Sequence, residues 1–78
     1  MRAVSRYIQG SNPAQTIVFN RRDDSITVNV PYNAFKKCAD KWNHGAMIQE
    51  AFPMLNATER EFMITGFTAE EQKEIFGE

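Results

Sequence analysis

Cys38 and His44 are the only thiol and the only imidazole in the 78-residue chain, so thiolate or imidazole chemistry would have to use them. A nucleophilic thiolate needs a base within hydrogen-bond reach and a third group that orients the base. The two residues are separated by six positions around a predicted helix, and no orienting group is evident. Cys38 therefore reads as small core filler, and His44 as a residue near a helix C-terminus, where the helix dipole favours a positive ring. A single cysteine excludes a disulfide within the monomer. One cysteine with one histidine also cannot complete a closed zinc site of the usual sulfur and nitrogen ligands, so neither a metal nor a cofactor is expected.

The carboxylates offer no better catalyst. Glu59 and Glu61 are two apart on a predicted helix and point to different sides, which spoils them as an acid and base pair. Glu59 and Glu71 already have local work, because each stands three residues after a capping residue, Asn56 and Thr68 respectively. No glycine-rich phosphate loop is present. These readings together predict a chain that is not an enzyme.

What remains is a basic set. Arg21, Arg22, Lys36, Lys37 and Lys41 are the candidate partner-binding residues, and Tyr32 and Trp42 lie among them. Residues 1–45 carry seven basic against three acidic residues, a net of +4; residues 46–78 carry two against seven, a net of −5. Such an asymmetry steers charged partners and also suits head-to-tail self-contact or a homodimer. If the basic and aromatic residues share one face, they could contact phosphates or stack bases, which is the nucleic-acid alternative. The bland reading keeps Tyr32 and Trp42 in the core with the lysines merely solvated. Major-groove reading by the C-terminal helix is rejected, since Glu70, Glu71 and Glu74 outnumber Lys73 there and phosphates would repel it.

The elements that must position these residues change character midway. Thr16–Phe19 and Ser25–Val30 are rich in β-branched and aromatic residues, and Ile26, Val28 and Val30 alternate with Thr27 and Asn29. Between them, residues 20–24 (NRRDD) suit a hairpin turn, because Asn and Asp can bond their own backbone. Ala3–Gln9 is expected to be a third antiparallel strand, the alternative being that residues 1–15 form a loose arm. Pro31 should end the sheet and open a helix. That helix carries Tyr32, Phe35, Ala39 and Trp42 on one face, with Gly45 as its stop. A short helix over Ala46–Phe52 closes at Pro53. Two more helices, about 57–65 and 69–76, are bracketed by the two capping pairs and by Gly66 and Gly77. Phe62, Ile64, Phe67, Ile75 and Phe76 are expected to pack onto the sheet and the Trp42 helix. The prediction is one small α+β domain over residues 1–78: a two- or three-stranded antiparallel sheet, three to four short helices and a C-terminal helical hairpin.

The motifs Ile48-Gln49-x-Ala51-Phe52-Pro53-x-Leu55, Glu59-Arg60-Glu61-Phe62, Thr65-Gly66-Phe67-Thr68 with Glu70-Glu71, and Ile75-Phe76 resemble the C-terminal segment of small, mostly uncharacterised tailed-bacteriophage proteins. The resemblance implies a phage origin and supplies no catalytic residue. The N-terminus lacks a signal-peptide run, and no stretch approaches the roughly 18 apolar residues of a membrane span. The expectation is a protein of the host bacterial cytoplasm with no membrane role. It would bind a host protein complex, in defence or gene expression, and inhibit or redirect it. The alternative is a nucleic-acid-associated regulator that uses the basic half.

Overall fold

The computed structural model describes residues 3–77; Met1, Arg2 and Glu78 lie outside the described residues. Three antiparallel strands come first, β1 (Val4–Gln9), β2 (Thr16–Asn20) and β3 (Ser25–Val28), in the order β1-β2-β3. The first strand is thus a sheet member, and the loose-arm reading does not hold for the described part. Its pairing with β2 shifts between Val4 and Arg6, so that Val4 opposes Asn20 and Arg6 opposes Phe19. This bulge turns Val4 into the core, where it is 6% exposed, while Arg6 lies on the opposite face.

Strand β3 ends at Val28, two residues earlier than the alternation suggests, yet Val30 stays buried. The Thr16 hydroxyl donates to the Val30 carbonyl at 2.7 Å, which holds this exit against β2 without a ladder. Pro31 then caps α1 (Tyr32–Asn43), and its carbonyl accepts the Phe35 amide at 2.8 Å. The stop is His44 followed by Gly45 at φ +106°. Helix α2 is a single turn, Ile48–Ala51, shorter than the Ala46–Phe52 expectation.

Helices α3 (Ala57–Thr65) and α4 (Ala69–Phe76) match the sequence reading, and both capping boxes are complete. Asn56 accepts the Glu59 amide at 2.8 Å while Glu59 accepts the Asn56 amide at 3.0 Å. Thr68 and Glu71 exchange the same two bonds at 3.2 and 3.0 Å. Gly66 and Gly77 follow in the left-handed region.

One core joins the layers. Val18 and Val28 from the sheet meet Phe35 and Ala39 of α1, Phe52 after α2, Leu55, and Phe62 and Met63 of α3. The expectation for the C-terminal helices needs correction. Phe62 is buried, but its core neighbour is Met63 at 0% exposure, with Ile64 and Phe67 half-buried. Ile75 and Phe76 do not pack onto the sheet at all; they are 54% and 58% exposed, and α4 has no buried residue. A helix of eight residues cannot turn both ends of its apolar stripe inward when only its first turn is held against the domain.

Candidate functional site

The hairpin turn between β2 and β3 is built on Asn20, which is 2% exposed. Its side-chain oxygen accepts the amides of Arg22 and Asp24, each at 2.9 Å, and Asp23 takes a φ of +66° that Asp tolerates better than most residues. The Asn20 amide group donates to the Gly66 carbonyl at 2.8 Å, which ties the turn to the end of α3. Arg22 completes the tie. Its two terminal nitrogens donate to the two Glu71 carboxylate oxygens at 2.8 and 2.5 Å, and one of them also reaches the Gly66 carbonyl at 3.1 Å. The same guanidinium lies 3.5 Å from Asp24.

These bonds set the local electrostatics. The Arg22 hydrogen bonds, followed by the Thr68 amide, hold the Glu71 carboxyl well below the usual range, at about 2, and Glu71 in turn raises Arg22. Arg22 is thereby committed to internal pairing, although sequence reading groups it with the partner-binding residues. Arg21 is exposed in the same turn.

The three lysines belong to a different element, α1, and they do not form one row. Lys37 and Lys41 are one turn apart and share an edge of the helix. Lys36 lines a shallow groove with Lys37, Asn33 and Asp40, and its ammonium is 5.7 Å from the Tyr32 ring centroid. Among the described residues none of the three makes an ion pair.

Aromatic rings connect this helix to the sheet. The Tyr7 ring lies 5.7 Å from Tyr32 and 4.7 Å from Phe35, Phe35 lies 5.0 Å from Phe52, and Phe52 meets Trp42 edge-on at 6.1 Å and 87°. Trp42 ends the chain of rings and is half-buried rather than enclosed. Beyond it the backbone folds back, with the Ala46 amide donating to the Lys41 carbonyl at 3.1 Å. Met47, at 57% exposure, then opens α2.

The result is a cleft of about 280 Å³ lined by Trp42, Gly45, Ala46, Met47, Ile48, Gln49 and Ile64. Its walls mix apolar side chains with polar surface, and Lys41 immediately precedes Trp42. Sequence reading set Trp42 on the core-facing stripe of α1 with base stacking as the alternative; it does pack partly buried against the core, but the cleft beside it was not foreseen. The available signal was Met47 and Ile48 directly after the Gly45 stop, apolar residues too close to the end of α1 to reach the sheet.

Elsewhere the chemistry is sparse. Cys38 packs half-buried against the core, and the His44 Nδ1 donates to the Asp40 carbonyl at 2.7 Å, so neither engages the other. Among the described residues no three of His, Cys, Asp and Glu gather in a metal-holding group, and no helix is long and apolar enough to cross a membrane. The sheet face away from the helices carries Ile8, Ile17 and Phe19, with the Arg6 guanidinium 3.8 Å over the Phe19 ring. No protein-family model, curated protein or solved structure matches the chain.

Proposed function

We propose that this chain is a non-enzymatic binding protein that docks on another protein through the Trp42 cleft, with Lys37 and Lys41 drawing it to an acidic surface. One observation carries the reading: a tryptophan held edge-on by Phe52 is partly exposed in a surface cleft, beside exposed Met47 and next in sequence to Lys41, which makes no ion pair among the described residues. Aromatic and methionine residues in a desolvating pocket supply affinity at interfaces, and rim charges supply encounter rate. The bacteriophage resemblance supports a host complex as partner, one of defence or gene expression, which the chain would inhibit or redirect in the host cytoplasm.

The nucleic-acid reading is weaker. Arg22 is spent on Glu71, Tyr32 packs on Tyr7, and Trp42 presents only part of its ring, which leaves no open stacking platform around the lysines. Capture from bacterial lysate with and without nuclease tests the choice. Recovery of the same proteins after nuclease, lost on Met47→Asp, supports docking; recovery that nuclease abolishes makes the regulator reading primary. A steep fall of affinity with salt, flattened by Lys37→Ala and Lys41→Ala, would mark the latter.

A further inference from the structure

We propose that the outer edge of β1 pairs with β1 of a second copy, antiparallel about a two-fold axis at Ile8, so that the two three-stranded sheets become one. The backbone bonds decide which groups this edge offers. At the two turns the Gly10 amide donates to the Gln15 carbonyl and the Asn20 amide to the Asp24 carbonyl, both at 2.9 Å. Antiparallel partners alternate between bonded and unbonded pairs. In β2 the even-numbered residues therefore bond β3, while Ile17 and Phe19 bond their β1 partners Ile8 and Arg6. The amides and carbonyls of Tyr7 and Gln9 consequently point away from the sheet. Among the described residues no backbone bond outside the ladder takes them up.

A row of such groups fits one kind of occupant, another extended strand. The opposite edge of the sheet is guarded. Strand β3 has only four residues, and the first turn of α4 stands beside its start, where Asp24, Ser25 and Ile26 share a groove with residues 68–71. Strand β1 has six residues and no proline, and its bulge between Val4 and Arg6 lies ahead of the Tyr7–Gln9 segment. Its single charge is turned away from the edge, because the Arg6 guanidinium lies over the Phe19 ring of the neighbouring strand and 3.6 Å from Asp23.

Register selects a second copy. Opposed residues must share a face of the sheet, which leaves axes at Arg6, Tyr7 or Ile8. An axis at Arg6 sets two guanidiniums side by side, and an axis at Tyr7 drives Gln9 against the bulge at Ser5. The axis at Ile8 sets Tyr7 opposite the partner's Gln9 and Gln9 opposite the partner's Tyr7. Each of these pairs exchanges two backbone bonds, so every outward group of the two residues is used. The same register covers Ile8, 45% exposed beside Ile17 on the open face, with the partner's Ile8, and it sets Arg6 opposite the partner's Gly10. The axis is normal to the sheet, so both helical layers, and with them both Trp42 clefts, lie on one side of an isologous dimer. The contact goes beyond the docking reading and does not depend on it.

Amide hydrogen exchange and sedimentation velocity over a concentration series test this. As concentration rises the parent chain should pass from monomer to dimer and no further. The amides of Tyr7 and Gln9 should gain protection, while those of Ser25 and Thr27 on the other edge should not. Gln9→Pro removes an amide that its own sheet does not use, and the dimer loses two backbone bonds, which should weaken it by about tenfold. Ile8→Lys sets like charges opposite each other on the axis and should weaken it by a similar factor, which keeps the test intact if the proline variant does not fold. A parent chain that is still monomeric at about 1 mM overturns the proposal. So does a dimer that leaves Tyr7 and Gln9 unprotected, or one that the folded variants form as readily as the parent. None of these outcomes bears on capture through the Trp42 cleft.

Discussion

Arg22 and Glu71, 49 residues apart in the chain, face each other as a planar fork on a carboxylate, with nitrogen to oxygen distances of 2.8 and 2.5 Å. The pair joins the β2–β3 turn to the first turn of α4, a helix with no buried side chain. Bidentate geometry of this kind adds direction as well as attraction. Replacing Arg22 by Ala should therefore loosen α4 rather than unfold the domain. In hydrogen exchange, amides of residues 72–77 should lose protection while those of β2 and α1 keep theirs. Equal loss everywhere would mean that the pair supports the whole fold.

The same pair gives a pH dependence with a definite sign. The Glu71 carboxyl sits at about 2 in the folded chain against an ordinary 4.5, so its charged form is the one that folding favours. Its contribution is fully present above pH 4.5 and is lost as pH falls toward 2. Acid titration of the parent chain should show α4 losing protection in that window, and Glu71→Gln should remove this pH dependence. An unchanged profile in the variant would assign the acid response to other carboxylates.

Each capping box should be measurable by equilibrium unfolding. Asn56→Ala and Thr68→Ala each remove a side-chain acceptor at a helix start, at a cost of about 1 kcal/mol. Thr68→Ala should act mainly on α4 and Asn56→Ala on the whole domain, because α3 carries Phe62 and Met63 into the core. No change in either variant would contradict the caps.

Packing separates residues that look alike in sequence. Phe62→Ala should cost about 3–5 kcal/mol, since it empties a fully buried site, whereas Phe76→Ser should change stability by less than about 0.5 kcal/mol. Gly66→Ala should destabilise by roughly 1–2 kcal/mol, because a left-handed residue with a side chain is strained there. Comparable losses for Phe62 and Phe76 would refute the exposed placement of α4.

Much of this fold was legible because its signals are local. The caps Asn56 and Thr68, the glycines 66 and 77, and the turn on Asn20 act within a few residues, and all stand where the spacing suggested. What could not be read depends on partners distant in sequence. Nothing in the Arg21-Arg22 doublet reveals that Glu71 takes the second arginine. The apolar spacing of α4 says that Ile75 and Phe76 share a side with Glu71 and Gln72, but not that the helix overhangs its domain. The cleft was illegible for a similar reason: Trp42 fits the helix stripe perfectly well, and only the fold-back at Gly45 leaves its outer edge uncovered.

The account turns on the Trp42 cleft as the docking surface, and the most direct measurement compares two exposed methionines. Met47 lies in the cleft at 57% exposure and Met54 lies outside it at 50%. Capture from nuclease-treated lysate should be at least tenfold weaker for Met47→Asp than for the parent, as expected for a charge buried at an anchor site, and unchanged for Met54→Asp. Equal recovery by the parent chain and both variants, each shown to be folded, would contradict the assignment of the cleft.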